Sequence, residues 1–451
     1  MLKIIYTKSP VFIQNIFVTV ENIFVLYKKY GYLPFLNPMN RIVNEVENLN
    51  INYTDEELVE HLNSFIKYSK NNTKYYTEDQ YKEIDDLSEL VSIPFLKKIV
   101  LRENTDDFYS KKITSSNSRT LFTSGSTGSP MEIKVSVKDL QFRFKLLLKT
   151  MLDFGYEYDK PSGRITGHDI CDDNSIYRKD YLNNQYFLSA FHISDLNIKK
   201  YFDVITSNNI KALDGYPSAI YTLAKLFEQH NLHISCIDTI YTTAEKLHKH
   251  QKEKIEEVFS CKVFDYYGSN EQSIFIYTCK NGNLHVSNKT GYLEVLDHYG
   301  NRTKKGKVGK MIITSLTSHF MPLIRYEIGD ACSVSNNQNC SCGSTGLVID
   351  EIIGRDEDIF KTVDGIYITR FSVVLKCSPK DVVESQLVLS NHKMSTVLYY
   401  TSTNEIDDNK FIDFKNALIS KIGNKYQVEC KRVDRITKSS RGKVRAVIIE
   451  N

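Results

Sequence analysis

The first run of residues suited to chemistry is Thr-Ser-Gly-Ser-Thr-Gly-Ser-Pro at positions 123–130, between the strand-like segments Arg119–Phe122 and Met131–Val137. Its backbone N–H groups and hydroxyls suit a polyphosphate, and its glycines let the backbone approach the phosphates closely. It is not a Walker loop, because no Gly-Lys-Ser/Thr follows. Ser/Thr/Gly clusters are also ordinary loop material, so this run alone leaves open a flexible surface loop.

Five further short motifs follow this loop in order. They are Thr-Ala-Glu at 243–245, Asp-Tyr-Tyr-Gly-Ser-Asn-Glu at 265–271, Arg-Tyr-Glu-Ile-Gly-Asp at 325–330, Gly-Arg-Asp-Glu-Asp at 354–358 and Ser-Arg-Gly-Lys-Val-Arg at 440–445. The ordered set resembles the adenylate-forming superfamily of acyl- and aryl-CoA synthetases, luciferases and peptide-synthetase adenylation domains. Within it the chain is most similar to the phenylacetate-CoA ligase branch, especially the CapK-type proteins of capsule biosynthesis. Gly-Tyr-Pro-Ser at 215–218 and Ile-Pro-Phe-Leu-Lys-Lys at 93–98 also resemble that branch.

The resemblance implies a reaction in which a carboxylate oxygen attacks the α-phosphorus of ATP, pyrophosphate leaves and an acyl-adenylate forms. The implied nucleotide-binding residues are Thr123, Ser124, Gly125, Ser126, Thr127, Gly128, Ala244, Glu245, Tyr266, Tyr267, Gly268, Asn270, Asp330 and Arg355. Residues 126–128 would hold the β- and γ-phosphates. Tyr267 would flank the adenine, and the backbone near Ala244 and Glu245 would read its edge.

Glu271 and Lys443 are the two implied catalytic residues. Glu271 would bind Mg²⁺, an ion that prefers oxygen ligands. Lys443 would bridge the α-phosphate and the attacking carboxylate as a point charge. Asp330 would accept hydrogen bonds from the ribose hydroxyls, and Arg355 would assist at the ribose or the phosphate. Three of these residues have an ordinary alternative: Glu271 as a helix cap, Asp330 as the end of a turn, and Lys443 as part of a solvated basic face.

Three positions depart from the pattern that this chain resembles. Asn270 precedes the metal-binding Glu where Thr or Ser is usual, although its amide can still donate to the α-phosphate. Ile328 stands where Thr often precedes Gly-Asp. Glu357 replaces Asp in the Gly-Arg-x-Asp hinge, about which the small domain of the resembling enzymes turns between adenylation and acyl transfer.

A second constellation consists of Cys279, His285, Cys340 and Cys342, with the spacing Cys-x5-His followed by Cys-x-Cys. Four sulfur and imidazole ligands suit a tetrahedral, structural Zn²⁺, and four protein ligands would leave no position for water. Cys332 is a spare candidate ligand. Because Cys-x-Cys is a weak motif, four reduced cysteine and histidine side chains without a metal remain the alternative.

The elements that position these residues predict an α/β fold. The strand-like segments Ile210–Leu213, Ile237–Thr242 and Lys262–Tyr266 alternate with a helix capped by Ser218 and a charged helix at Leu247–Phe259. Such alternation favours parallel pairing. We therefore expect a large N-terminal AMP-binding domain with mixed and parallel sheets at residues 1–354, of which 1–110 are mostly helical. A small, mobile α+β C-terminal lid domain follows at residues 355–451.

Composition limits the location and the partners. Of the 451 residues, 41% are hydrophobic and the net charge is +3, so no strong electrostatic case exists for binding nucleic acid or membranes. The apolar stretch Val11–Tyr27 is interrupted by Gln14, Asn15 and Glu21, and predicts an amphipathic helix and neither a signal peptide nor a membrane span. Membrane contact is not the expected role of this helix. Nine scattered cysteines predict reduced thiols in the cytoplasm.

Three functions remain open from the sequence. The leading hypothesis is ligation of a small carboxylic acid to CoA, which needs ATP and Mg²⁺. The second delivers the activated acid to an amine, on a surface-polysaccharide sugar, or to a carrier protein. The third is a non-catalytic ATP- or acyl-binding protein, which the presence of both Glu271 and Lys443 argues against. Tyr216 and Tyr241 are candidates for an acyl pocket, with core tyrosines as the alternative.

Overall fold

The computed structural model describes residues 6, 9–32, 39–77, 79–122, 131–166, 175–297, 299–355, 360–363, 367–368, 371–375, 377–438 and 444–450. The chain divides into two compact units. The first unit comprises residues 1–20, 157–265 and 353–451, and the second comprises residues 21–156 and 266–352.

The described chain alternates helices and strands along much of its length. The helices are α1 (Val11–Tyr30), α2 (Met39–Val46), α3 (Asp55–Asn72), α4 (Lys98–Glu103), α5 (Thr105–Phe108), α6 (Val137–Phe154), α7 (Ile198–Ser207), α8 (Pro217–Gln229), α9 (Lys249–Phe259), α10 (Ser372–Leu375) and α11 (Ile412–Ile422). The strands are β1 (Ser118–Phe122), β2 (Glu132–Ser136), β3 (Ser162–Thr166), β4 (Tyr177–Asp180), β5 (Gln185–Ser189), β6 (Ala212–Gly215), β7 (Thr239–Thr243), β8 (Lys262–Gly268), β9 (Phe275–Thr278), β10 (Leu284–Ser287), β11 (Gly291–Leu296), β12 (Val308–Ser315), β13 (Tyr326–Val334), β14 (Val348–Arg355), β15 (Phe360–Lys361), β16 (Tyr367–Ile368), β17 (Ser385–Ser390), β18 (Ser395–Tyr400), β19 (Gln427–Arg432) and β20 (Val447–Glu450). Short 3-10 helices lie at Leu87–Ser92 and Asp408–Phe411.

The main sheet of the first unit runs in the order β7-β6-β3-β5-β4. Its strands pair in parallel except for the antiparallel edge strand β4. Helix α8 has Pro217 in its first turn, where the missing N–H is tolerated, and buries Ile220, Leu223 and Phe227 on one face. The predicted alternation of parallel strands with helices, and with it the α/β fold class, is confirmed.

A separate small sheet in the first unit runs in the order β19-β18-β17-β20. The antiparallel pair β17-β18 is central, and each outer strand is parallel to its neighbour. Helix α11 buries Phe414, Leu418 and Ile422 in the core of this sheet. The small α+β element expected near the C-terminus is therefore present, while the domain boundary at residue 355 and the lid motion stay predictions.

The second unit is built on strands in the order β11-β12-β13-β14-β10-β9-β8. Pairing is antiparallel among β11, β12 and β13, and among β14, β10, β9 and β8. Strands β1 and β2 pair antiparallel on either side of residues 123–130. Helix α6, which lies close to this pair in sequence, is capped by the Ser136 hydroxyl at its start and by left-handed Gly155 at its end.

Helix α1 confirms the predicted helix in the apolar stretch near the N-terminus. By length and composition alone, Val11–Lys28 is apolar enough to cross a membrane, with a mean hydropathy of 1.3. Its orientation is unusual because Gln14 and Asn15 are buried whereas Phe12 and Phe24 are exposed. A helix on the surface of a soluble protein normally turns its apolar residues inward.

Candidate nucleotide and metal sites

Glu271, the predicted magnesium ligand, lies in the second unit between β8 and β9 and is 5% exposed. Lys98 Nζ lies 3.6 Å from its Oε1, and the Tyr326 hydroxyl donates to the same oxygen at 3.4 Å. Burial, followed by the nearby Glu271 charge, raises the pKa of Tyr326 well above its ordinary value, so the phenol keeps its proton and donates it. One oxygen of the carboxylate thus contacts both a cation and a phenol.

Arg143 of α6 positions the loop that carries Glu271. Its buried guanidinium donates from Nη1 to the carbonyl of Gln272 at 2.9 Å and from Nη2 to the carbonyl of Ile274 at 2.8 Å. Gln272 has a φ of +54°, a left-handed conformation that costs a non-glycine residue about 1 kcal/mol. Arg143 therefore fixes a strained loop directly after the predicted metal ligand.

Asn270 links this loop to the predicted phosphate-binding run. Its Nδ2 donates to the carbonyl of Phe122 at 2.7 Å, and Phe122 is the residue immediately before residues 123–130. An asparagine amide carries two N–H groups, and this bond uses one of them. Asn270, which stands where Thr or Ser is usual, thus makes a contact that holds the end of β1 close to the residue before Glu271.

Tyr267 and Asp330 form one hydrogen-bonded pair in the second unit. The Tyr267 hydroxyl donates to Asp330 Oδ2 at 2.5 Å. Burial first, and then the Asp330 and Glu271 carboxylates, raise the pKa of Tyr267 well above its ordinary value. Because Glu271 acts on this phenol, we treat Tyr267, Glu271 and Asp330 together as the acidic site. Gly329, with a φ of +87°, makes the turn that leads into Asp330.

A buried ion pair brings two of the sequence motifs together. Arg325 and Glu294 form a two-point contact, with Nε–Oε2 and Nη2–Oε1 distances of 2.9 Å. Arg325 Nη1 also donates to the carbonyl of Ile93, and the Leu96 amide donates to the carbonyl of Arg325 at 3.0 Å. These bonds hold the 93–98 run against the 325–330 motif, which explains how Lys98 reaches the acidic site.

In the first unit, three motifs meet at Glu245. Its carboxylate accepts from the backbone N–H of Ser218, at the start of α8, at 3.2 Å and from the N–H of Val444 at 2.6 Å. Val444 directly follows Lys443 in the sequence. The preceding Ala244 has a φ of +70°, a strained conformation of the kind that clusters at ligand sites.

The three other tyrosines predicted to line the nucleotide or acyl site differ in their burial and surroundings. Tyr241 is 1% exposed, and its ring centroid lies 5.4 Å from that of Phe264. Tyr216 is half-buried and precedes the first residue of α8. Tyr266 lies on β8 with its ring centroid 6.2 Å from that of Phe275, and Gly268 ends the same strand. The acyl-pocket roles of Tyr216 and Tyr241 stay predictions.

Several predicted site residues lie outside the described part of the chain. They are Thr123, Ser124, Gly125, Ser126, Thr127, Gly128, Glu357 and Lys443. Arg355 ends β14, but its side chain also lies outside the description. The phosphate-binding, hinge and catalytic roles assigned to these residues stay predictions.

The second unit brings together all four predicted zinc ligands, which we call the Cys/His cluster. The sulfur and imidazole atoms of Cys279, His285, Cys340 and Cys342 all lie within 4.8 Å of one another. Cys279 follows β9 and His285 lies on β10, while the other two come from the loop between β13 and β14. Cys332 is buried on β13 and is not part of this group.

The distances within the Cys/His cluster fit a tetrahedral zinc ion. A Zn–S bond of about 2.3 Å places two sulfurs about 3.8 Å apart, and a sulfur and a nitrogen about 3.6 Å apart, at tetrahedral angles. The Sγ atoms of Cys279 and Cys340 are 3.8 Å apart, and Cys342 Sγ lies 3.5 Å from His285 Nε2. These two distances therefore match one sulfur–sulfur edge and one sulfur–nitrogen edge of a ZnS₃N tetrahedron.

Contacts around the Cys/His cluster favour metal-binding forms of its members. His285 Nδ1 lies 3.1 Å from the carbonyl of Gly346, which can only accept, so this nitrogen carries the proton and Nε2 is left to bind metal. Cys340 Sγ accepts from the Asn283 amide at 3.3 Å, and Cys342 Sγ accepts from the Ser344 N–H at 3.3 Å. A Cβ at position 346 would overlap the carbonyl of Val286, so glycine is required there.

Sequence reasoning missed three residues that build the acidic site. Lys98 belongs to the 93–98 run, which was recognised without a role for its lysines. Arg143 sits in an ordinary amphipathic helix, and Arg325 opens a recognised motif without an assigned function. For Arg143 the available signal was a charged residue on an otherwise apolar helix face, which predicts a buried partner but does not identify it.

No family model matches the chain. It is 25% identical to protein CapK of Staphylococcus aureus over 99% of both chains. It is 24% identical to a phenylacetate-coenzyme A ligase of Thermus thermophilus, over 67% of this chain and 69% of that protein. An indoleacetate–lysine synthetase of Pseudomonas savastanoi is 26% identical over 49% of this chain and 53% of that protein.

A solved structure shares the fold. The crystal structure of a 2-hydroxyisobutyryl-CoA ligase with a bound acyl-adenylate matches with a TM-score of 0.69, at 18% identity, over 88% of this chain and 89% of that one. The resemblance predicted from the motifs is therefore confirmed. The chain has the fold of the adenylate-forming superfamily and is similar, over nearly its whole length, to the CapK and phenylacetate-CoA ligase branch of that superfamily.

Proposed function

We propose that the protein uses ATP to activate a small carboxylic acid as an acyl-adenylate and then transfers the acyl group to a thiol, that of CoA. The acidic site carries this proposal. A buried carboxylate, Glu271, lies between Lys98 and Tyr326, and it acts electrostatically on the Tyr267–Asp330 pair. Oxygen ligands of this kind suit Mg²⁺, and an aromatic ring beside a carboxylate suits a nucleoside.

In the proposed first half-reaction, each of these side chains has a role. A substrate carboxylate oxygen forms a bond to the α-phosphorus, and the bond from that phosphorus to the leaving oxygen breaks, with its electron pair departing on pyrophosphate. Glu271 would hold Mg²⁺, which when bound neutralises phosphate charge. Tyr267 orients Asp330, whose carboxylate would accept from the ribose hydroxyls. Lys443 would balance the charge that develops at the α-phosphate.

In the second half-reaction the acceptor thiol loses its proton to water and its sulfur bonds to the acyl carbon, while AMP leaves with the electron pair of the acyl–phosphate bond. A CoA thiol is favoured because both the Thermus relative and the structural neighbour are named as CoA ligases. Glu245 supports the coupling of the two steps, since it binds the backbone directly after Lys443. A hinge at Glu357 would let that segment withdraw before the acceptor enters.

An amine acceptor is the second candidate. The similar indoleacetate–lysine synthetase is named for joining an acid to an amine, and the match covers about half of this chain. Transfer to an amine on a surface-polysaccharide sugar or to a carrier protein belongs to the same class. The adenylation step is shared by all these acceptors, so it can be tested separately.

We assign the Cys/His cluster a structural Zn²⁺. The ligand spacing and the Nδ1–H bond of His285 to Gly346 support this assignment. Four protein ligands would fill a tetrahedral shell, so the ion would cross-link two loops and would not activate water. Reduced thiolates of this kind accord with the proposed cytoplasmic location.

Trapping of the activated acid tests the proposal. The purified protein is incubated with Mg-ATP, hydroxylamine and individual aryl, fatty and amino acids, and hydroxamate formation is measured. The proposal expects one class of acid to yield hydroxamate and AMP. Adding CoA or lysine without hydroxylamine then distinguishes thioester from amide. Absence of hydroxamate with every acid, from protein that binds ATP, would favour a non-catalytic binding protein.

A further inference from the structure

Helix α1 presents its polar side to the protein. Asn15 Oδ1 accepts from the backbone N–H of Lys179 at 3.0 Å, and its Nδ2 lies 3.3 Å from the Tyr181 hydroxyl. One turn later, Thr19 Oγ1 accepts from the N–H of Tyr181 at 3.1 Å. All these contacts lie in the first unit. The polar residues of α1 therefore hold it against the end of β4.

The opposite side of α1 is an apolar stripe exposed to solvent. It consists of Phe12, Ile16, Val20, Phe24 and Tyr27, whose exposed fractions are 60, 51, 44, 58 and 48%. The first four follow at intervals of four residues, which places them along one side of the helix. At 1.5 Å per residue the stripe is about 22 Å long.

This orientation differs from that of the other long helices. Helix α8, for example, buries Ile220, Leu223 and Phe227 in the core. Burying apolar surface stabilises a protein by about 25 cal/mol per Å². A stripe of aliphatic and aromatic side chains that faces water does not contribute this free energy. A contiguous exposed apolar surface of this kind marks a docking site.

Charge indicates what docks there. The first thirty residues contain four lysines, Lys3, Lys8, Lys28 and Lys29, against the single acid Glu21. Lysines therefore stand on both sides of the apolar stripe in the sequence, and Lys28 is exposed at its C-terminal end. Apolar residues with flanking lysines suit an anionic lipid surface, where the side chains enter the acyl boundary and the ammonium groups meet the headgroups.

We propose that α1 docks the protein on the surface of an anionic lipid bilayer. The helix lies in the plane of the interface with its apolar stripe inserted. It does not span the bilayer, because spanning would break the bonds of Asn15 and Thr19 to the segment around β4. This docking is independent of the acyl chemistry, and it would deliver the product close to an acceptor held at a membrane.

Vesicle flotation of the full chain tests the docking. Vesicles of phosphatidylcholine with about one-third phosphatidylglycerol should carry the protein, whereas pure phosphatidylcholine should carry much less. The variant Phe12→Ser/Phe24→Ser should lose at least about tenfold in binding. The control Leu196→Ser/Tyr299→Ser removes two exposed apolar side chains elsewhere and should bind like wild type. Lys28→Glu/Lys29→Glu should also weaken binding. Added salt should weaken the binding of wild type in the same way, because it screens the attraction between lysines and lipid headgroups.

A spectroscopic variant keeps the test decisive if the serine variant does not fold. The chain contains no tryptophan, so Phe24→Trp introduces a single fluorophore in the stripe. Anionic vesicles should shift its emission to shorter wavelength, and brominated lipid should quench it, whereas Leu196→Trp should not respond. Unshifted Phe24→Trp emission together with no flotation of wild type would overturn the proposal. A wild-type dimer that Phe12→Ser/Phe24→Ser dissociates would instead identify a second copy as the occupant and would overturn it too.

Discussion

The acidic site and the Cys/His cluster occupy the two ends of one short strand but are held in different ways. Glu271 precedes β9 and Cys279 follows it. Glu271 is oriented by protein donors, Lys98 and Tyr326, that a metal or nucleotide could replace. The members of the Cys/His cluster converge on one another, with the contacts from Asn283, Ser344 and Gly346 behind them. On the proposed roles, the difference separates a carboxylate that could exchange its protein partners for a metal or nucleotide from a set of ligands that would close around a structural ion.

The comparison predicts the largest loss of activity from Glu271→Gln. The amide keeps the shape but loses the charge that would hold Mg²⁺, so adenylation should fall by about 100-fold or more. Steady-state rates of hydroxamate formation measure the effect. Glu327→Gln, on β13 and paired with Lys310 at 2.8 Å, is the matched control and should stay near wild type. Equal activity of Glu271→Gln and wild type would remove Glu271 from the mechanism.

The next largest effect should come from Cys342→Ser, and it should be on stability. Loss of one ligand should release the zinc and lower the free energy of unfolding by several kcal/mol, because metal binding and folding are coupled. Elemental analysis and thermal unfolding measure both changes. Protein that is still folded should form acyl-adenylate at nearly the wild-type rate. Cys430→Ser, in the small sheet, is the control. The structural assignment would be refuted if zinc-free wild type were as stable as zinc-bound wild type.

Tyr267→Phe should sharpen the description of the acidic site. The substitution removes the hydroxyl that orients Asp330 and keeps the ring proposed to flank the adenine. A hydrogen bond to a charged group contributes on the order of 1.5 kcal/mol, so the KM for ATP should rise about tenfold. Tyr299→Phe, at an exposed position, should have no effect. A change in kcat without a change in KM would contradict a role in binding the nucleoside.

The smallest effect should come from Lys98→Met, and its direction is informative. Lys98 pairs with Glu271 across a partly exposed contact, where ion pairs contribute about 0.5–1 kcal/mol. Lys98 would compete with a metal for that carboxylate, so its removal should lower the Mg²⁺ concentration for half-maximal activity roughly two- to fivefold. Lys97→Met should leave it unchanged. A higher Mg²⁺ requirement would mean that Lys98 supports the metal instead of competing with it.

Sequence analysis predicted the Cys/His cluster in full because its signal is local. Cys-x5-His spans one hairpin and Cys-x-Cys lies within one loop. Only the proximity of these two segments depends on the tertiary fold. Glu271, Tyr267 and Asp330 were identified through motif resemblance. Their connections were not predictable, because Lys98 and Arg143 reach them across long sequence distances, through the backbone pairing at Leu96 and the packing of α6.

Helix α1 shows a further limit of sequence reasoning. Its periodicity predicted two faces, and membrane contact was not expected, because a surface helix normally buries its apolar face. Which face turns inward was decided by the hydrogen bonds of Asn15 and Thr19 to the segment around β4. Such bonds depend on a strand more than a hundred residues away in sequence, so they cannot be predicted from the local sequence pattern.

Adenylate formation is the central claim, and carboxylate-dependent ATP–pyrophosphate exchange tests it most directly. The assay needs no acceptor, so it isolates the first half-reaction in wild type and in Lys443→Ala. We predict exchange with one class of acid, reduced to background by Lys443→Ala. Exchange that is absent with every acid, or that survives loss of Lys443 undiminished, would contradict this account.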